Sequence, residues 1–296
     1  EELSYTVKLA VASGKGGTGK TTLATNLAVV SAQLGCSVAY IDCDVEEPNG
    51  HLFLKPSIQR REPVTQLVPR IVFGTCDGCG ACARVCQYSA VVCLRGQPLV
   101  FAELCHSCGG CALVCPKQAI VEQPRVVGVV ETGHAQGVAF VHGLLNVGEA
   151  KSPPVIRAVR GCAPEVEHQI IDAPPGTTCP VVAAVRGVDL VLLVTEPTPF
   201  GLNDLELAVD TVRRLGLAMG VIVNRADVGD DRVTAYCAAQ QIPVLLTIPN
   251  DRAIAETYSR GELAVNARPE LRGALEGLWR GAEGLVTALS KKNDAV

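Results

Sequence analysis

The sequence predicts an α/β protein, a mostly parallel, doubly wound sheet with a small α+β domain inserted into it. Three observations lead there. Short runs of Val, Ile and Leu alternate with helical stretches, as in a parallel sheet whose strands are buried on both faces. A Gly-rich loop joins the first such run to the first helix. The alternation then stops near residue 56 and resumes after about residue 125, with a cysteine-dense stretch between.

Taken in order, Val7 to Ala12 is a β-type run, and the Gly-rich loop 14–19 follows it. Residues 20–34 have helical period, with Leu23, Leu27, Val30 and Leu34 on one face, and Gly35 stops the helix. Ser37 to Ile41 is the second apolar strand. Residues 56–70 break the pattern, being polar and punctuated by proline. Beyond the cysteines, 126–130 and 138–145 read as strands, and a Pro pair opens a helix near 153–160. Gln169 to Asp172, Leu190 to Thr195, Gly220 to Asn224 and Val244 to Ile248 are further buried-strand runs separated by helical stretches. The last stretch, 270–290, places Leu271, Leu275, Leu278, Leu285 and Leu289 on one helix face. Packing on the sheet explains that face better than a membrane surface, because Lys291 and Lys292 alone are weak basic support.

Composition narrows the function classes. The chain has 296 residues, 48% hydrophobic and 19% charged, enough for a substantial core. A net charge of −4 argues against broad binding to nucleic acid. No apolar run spans a membrane, and Glu1 to Tyr5 carries no feature of a secretory signal. Fourteen cysteines in such a chain point to reduced, metal-holding thiols in the cytoplasm.

Residues 14–21 read Gly14-Lys15-Gly16-Gly17-Thr18-Gly19-Lys20-Thr21, the phosphate-loop pattern between a strand and a helix. Its glycines let backbone N–H groups face phosphate oxygens at a helix N-terminus. Lys20 would reach the β- and γ-phosphates, and the Thr21 hydroxyl would bind Mg²⁺. The early lysine sharpens the match. The run from Lys15 through Thr22 resembles the deviant Walker A motif of the MinD/ParA/Mrp and nitrogenase iron protein group of P-loop NTPases. The resemblance implies that Lys15 contacts nucleotide across a homodimer that ATP bridges.

Two carboxylate elements resemble the same group. Ile41-Asp42-Cys43-Asp44 matches its Asp-x-Asp, implying that Asp42 supports the Mg²⁺ shell and that Asp44 orients or activates the attacking water. Ile170-Ile171-Asp172-Ala173-Pro174-Pro175-Gly176 resembles Walker B running into switch II. Asp172 would bind Mg²⁺ through water, and the Gly176 backbone would sense the γ-phosphate. Asn224, after a strand, resembles the residue that reads adenine, and the segment with Pro249 and Asp251 resembles the one that packs on the purine. The implied activity is Mg²⁺-dependent hydrolysis of ATP to ADP and phosphate.

Eight cysteines form two runs of one spacing, Cys76, Cys79, Cys82 and Cys86, then Cys105, Cys108, Cys111 and Cys115, offset by 29 residues. Zinc also uses paired cysteines, but its pairs stand farther apart and do not need the third and fourth thiols at this spacing. The double run resembles bacterial two-cluster ferredoxins, implying two [4Fe–4S] clusters. In that pattern Cys115 completes the set of Cys76, Cys79 and Cys82, and Cys86 completes that of Cys105, Cys108 and Cys111. Gln87 departs from the pattern, which has Pro there. Cys36, Cys43, Cys93, Cys162 and Cys237 read mostly as small buried residues. Cys179, just past Gly176, could hold a dimer-bridging cluster with Cys162. His106 lies between two of these cysteines.

The expected domains are 1–59 and 123–296 for the ATPase, with a ferredoxin-like insert at 60–122. The expected function is an ATPase whose nucleotide-driven dimerisation gates electron transfer with a partner protein. The alternatives are an iron–sulfur carrier or maturation ATPase, and a ParA/MinD-like spatial organiser with redox sensing.

Overall fold

The computed structural model describes residues 6–293. The chain forms two compact units. One comprises the residues up to Arg61, Val130–Leu144 and the chain from Ile156 onward; the other comprises Glu62–Val129 and Leu145–Val155.

The elements run β1 (Val7–Ala12), α1 (Lys20–Gln33), β2 (Val38–Asp42), α2 (Gly50–Leu54) and β3 (Ser57–Ile71). The cysteine-rich stretch holds α3 (Ala81–Val85), a hairpin of β4 (Val91–Leu94) and β5 (Gln97–Val100), and α4 (Gly110–Leu113). After it come β6 (Ile120–Ala135), β7 (Val138–Leu145), α5 (Pro153–Gly161), β8 (His168–Asp172), α6 (Cys179–Val185) and β9 (Leu190–Thr195). The chain ends with α7 (Pro199–Arg214), β10 (Ala218–Asn224), α8 (Arg232–Ala239), β11 (Val244–Ile248), α9 (Arg252–Ser259), α10 (Ala264–Ala267) and α11 (Pro269–Asn293).

Nine strands form one sheet in the order β11-β10-β9-β1-β8-β2-β7-β6-β3. Every neighbouring pair from β11 to β7 is parallel. The crossovers therefore gather the C-terminal ends of β1, β2, β8, β9 and β10 on one edge, where open α/β sheets bind ligands. Register fixes the carboxylates there, since Asp172 pairs with Asp42 on one side and Val11 on the other.

Two elements exceed the sequence reading. The polar segment after residue 56 is a 15-residue strand, β3, and the next long strand, β6, has 16 residues. Their prolines and polar side chains hide the period of a strand. β3 lies at the sheet edge, where Pro63 and Pro69 break no ladder that the sheet needs. The helix α1 also differs from the one-faced reading. It is buried on nearly every side, and Leu34, at its C-cap, is exposed. On α11, Leu275, Leu278, Trp279, Ala282 and Val286 are buried in one core with Leu23, Leu27 and Val30 of α1. The side chains of Leu289, Lys291 and Lys292 lie outside the described residues. Among the described residues, no helix is long and apolar enough to cross a membrane.

Candidate functional site

A cavity of about 380 Å³ opens at the C-terminal edge of the sheet. Gly16, Gly17, Gly19, Lys20, Thr21 and Thr22 line its floor, and Asn224, Pro249 and Asp251 line a side wall. Backbone geometry explains two of the loop glycines. Gly19 has φ +96°, and a Cβ there would stand 2.6 Å from Asn224 Nδ2. A Cβ on Gly14 would stand 2.2 Å from the backbone oxygen of Asp204 in α7. Asn224 braces the loop, its Nδ2 donating to the Thr18 carbonyl at 2.8 Å while its Oδ1 accepts from Arg225 N. Thr18 is buried, with a hydroxyl that has no partner among the described residues.

The carboxylates sit behind the loop. Asp42 and Asp172 are buried, and the Tyr40 hydroxyl donates to Asp172 Oδ2 at 2.8 Å. The backbone N–H groups of Gly50 and Asp44 donate to Asp42, each at 3.1 Å. Burial first, and Asp172 next, push Asp42 far above the ordinary carboxylate range. Burial also raises Asp172, opposed by Thr21, Tyr40 and Lys20. Asp44 is pushed up to about 6 by burial and Asp172, against Lys20. Lys20 is itself lowered by burial, although Asp172 and Asp44 favour its charge. Asp172 and Asp44 thus share one buried lysine while Asp42 lies against Asp172, and among the described residues Asp172 Oδ1 has no hydrogen-bond partner. Such a set is short of positive charge, which a hard divalent cation such as Mg²⁺ would supply.

The Lys15 ammonium stands 3.6 Å from Glu196, which also pairs with Arg225 at 2.7 Å. Gly176 N donates to the Ser13 carbonyl at 3.0 Å, joining the chain after β8 to the start of the phosphate loop.

The cysteine unit has its own geometry. Cys76, Cys79, Cys82 and Cys115 line one small cavity, so the fourth thiol of the second run meets three of the first. Cys86 packs in a small cluster with Cys105, Val68 and Ala90. Burial tends to raise the Cys86 thiol, but the backbone N–H groups of Tyr88, Val91, Ala90 and Ser89 hold it below the ordinary range. Other amides face sulfur too, Ser107 N donating to Cys105 Sγ at 3.4 Å and Ala119 N to Cys115 Sγ at 3.3 Å. Thiolates cradled by amides are what an iron–sulfur cluster uses. Among the described residues no three His, Cys, Asp or Glu side chains close on a point that holds a single metal ion. A cluster sets its thiolates around an inorganic core, which needs wider spacing than one ion does.

The profile of the CobQ/CobB/MinD/ParA nucleotide binding domain matches residues 9–265. The chain belongs to this family. An uncharacterized protein of Methanocaldococcus jannaschii is 31% identical over 263 residues, covering 88% of this chain and 92% of that protein. An iron–sulfur cluster carrier protein of Aquifex aeolicus is 25% identical over 277 residues, covering 88% of this chain and 62% of the carrier. The septum site-determining protein MinD of Pyrococcus horikoshii, solved with Mg-ADP, superposes with a TM-score of 0.59 at 21% identity, covering 95% and 96% of the two chains.

In this MinD/ParA-type chain the structure brings together Lys20, Thr21, Asp44, Asn224, Pro249 and Asp251 around one cavity. Lys15 is not among the residues lining it and pairs with Glu196 instead. Cys179 is exposed at the start of α6, and of the remaining cysteines only Cys43 and Cys237 are fully buried. Sequence reasoning missed Tyr40, Glu196 and Arg225. Tyr40 had one available signal, an aromatic hydroxyl two residues before Asp42 in a strand otherwise without polar side chains. The other two act through pairings that no local pattern announces.

Proposed function

We propose that this chain is a Mg²⁺-dependent ATPase that dimerises on ATP and gates electron transfer by an inserted two-cluster iron–sulfur unit. The observation that carries the ATPase reading is one cavity, in which Lys20 and Thr21 of a phosphate-binding loop share the lining with Asp44 and with Asn224, Ile248 and Pro249. ATP would lie with its phosphates over residues 14–21 and its base near Asn224, Pro249 and Asp251. Lys20 draws charge from the β- and γ-phosphates as the terminal P–O bond breaks. Asp44, held near 6 by its surroundings, is suited to orient the water and accept its proton as phosphate leaves ADP. When bound, Mg²⁺ would be held by Thr21 and, through water, by Asp42 and Asp172, and would neutralise developing phosphate charge. Lys15 must leave Glu196 to reach a nucleotide, and a second subunit would supply the reason.

For the cysteine unit the ligand sets are Cys76, Cys79, Cys82 and Cys115, and Cys86, Cys105, Cys108 and Cys111. When bound, two [4Fe–4S] clusters would supply one-electron storage. The amide-cradled, partly enclosed thiols favour clusters that stay in place, and hence electron transfer with a partner protein. A second reading, cluster delivery, is favoured by the similarity to the Aquifex carrier protein.

The ATPase test is direct. Lys20→Ala should abolish phosphate release, and Asp44→Ala should slow it at least a hundredfold while retaining ATP binding. Phosphate release by Lys20→Ala at the wild-type rate would reject the reading. Iron and sulfide moving from purified protein to an apo-ferredoxin would favour delivery; their retention favours electron transfer.

A further inference from the structure

A polar row crosses five neighbouring strands of the sheet, β8, β2, β7, β6 and β3. It starts at the carboxylates of the nucleotide site, where the register sets Asp172 beside Asp42 and Asp42 beside His142. His142 is buried, and its Nε2 lies 2.8 Å from Glu131 Oε2 on β6. The other oxygen of Glu131 is 3.4 Å from Arg61 Nη1 on β3. The row ends at a particular place in the chain. Arg61 is the last residue of its compact unit on β3, and Glu131 is the second residue of that unit on β6. From there both strands run on as part of the cysteine unit.

The row is incomplete at its histidine. A carboxylate accepting at Nε2 makes that nitrogen the N–H, so neutral His142 presents a lone pair at Nδ1. That Nδ1 is buried and has no partner among the described residues. His51 stands beside it, with ring centroids 5.5 Å apart, and the His51 Nδ1 is likewise buried and without a partner. Burial lowers the His142 pKa and favours the neutral form, although Glu131 pulls the other way. His51 follows Gly50 at the start of α2, and Gly50 N donates to Asp42 Oδ2 at 3.1 Å. One short helix thus holds the carboxylate of the row by its backbone and borders the histidine of the row by a side chain. A small turn of the rings would let His51 Nδ1 donate to His142 Nδ1, which gives the row two discrete arrangements.

We propose that His142 and Glu131 are positioning residues that carry the state of the Mg²⁺ carboxylates to β3 and β6, and that His51 closes onto His142 when the site fills. This rests on the Mg²⁺-nucleotide reading above. A divalent cation near Asp42 changes the field by two charges, in a row where burial leaves little water to screen it. Asp42 then divides its oxygens between the shell of the cation and Gly50, which moves the start of α2 and His51 with it. The two strands that answer are the ones that continue as the cysteine unit.

The test is hydrogen–deuterium exchange of the full chain, read by mass spectrometry, with and without Mg²⁺ and a non-hydrolysable ATP analogue. In wild type, Mg²⁺ with the analogue should slow exchange over residues 58–71 and 126–135 by about twofold or more, and the analogue alone should not. Glu131→Gln, His142→Phe and His51→Phe should each bind the analogue and lose that slowing. A merely structural role predicts faster exchange in every state with the Mg²⁺-dependent slowing kept. That result, or no slowing in wild type, would overturn the proposal. Should His142→Phe fail to fold, Glu131→Gln and His51→Phe decide it. A wild type that binds no analogue would overturn the nucleotide reading and the proposal with it. Slowing in wild type beside equal electron-loss rates in every nucleotide state would uphold the row and reject the gating of electron transfer.

Discussion

Tyr40 shows how much a single side chain can determine at the nucleotide site. Its hydroxyl donates to Asp172 Oδ2, and both groups are buried. Tyr40→Phe removes that donor from a buried carboxylate, a loss of about 1.5–3 kcal/mol for a hydrogen bond to a charged group. Mg²⁺ affinity should fall by roughly ten- to a hundredfold, measured by titrating ATP turnover with Mg²⁺. An unchanged Mg²⁺ requirement would mean that Asp172 does not serve the metal. At this scale the sequence was informative wherever chemistry repeats as a local string. The phosphate loop from Gly14 to Thr22, and the two cysteine runs, are legible because their spacing is itself the mechanism. Tyr40 and Asp172 are 132 residues apart, and nothing short of the sheet register joins them.

Elements are held by contacts of the same long range. His168 on β8 is bound by Ser31 of α1 at 2.8 Å, faces Glu283 of α11 at 3.3 Å and packs on Trp279, with ring centroids 4.1 Å apart. Burial lowers the His168 pKa, though Glu283 and Glu167 pull it up. The native chain thus takes up a proton less readily than the unfolded chain. Stability should fall as pH drops below about 6.5, where the unfolded histidine charges first. Urea midpoints measured at about pH 7.5 and 5.5 should show this fall, and His168→Gln should reduce it. An identical pH dependence in the variant would remove His168 from the account. The apolar strands were readable because burial on both faces leaves a continuous Val/Ile/Leu run, as in Leu190–Thr195. β3 was not, and of β6 only the run 126–130 was, since exposed stretches with proline carry neither alternation nor an apolar run.

For the whole molecule, the two compact units are discontinuous in sequence, and the cysteine unit includes Leu145–Val155 as well as the cysteine stretch. A sequence reading that follows composition finds the cysteines but not that returning segment, whose membership comes from contacts made by Asn146, Glu149 and Lys151. The family match extends over residues 9–265 and so includes the cysteine stretch. The central claim is that nucleotide state controls what the iron–sulfur unit delivers. It is tested by reducing the loaded protein with dithionite, removing the excess, and timing electron loss to a small-molecule acceptor with ATP, with ADP and with no nucleotide. The account predicts a rate with ATP that differs from the other two, and that Asp44→Ala holds for as long as ATP remains bound. Equal rates in all three conditions would contradict it.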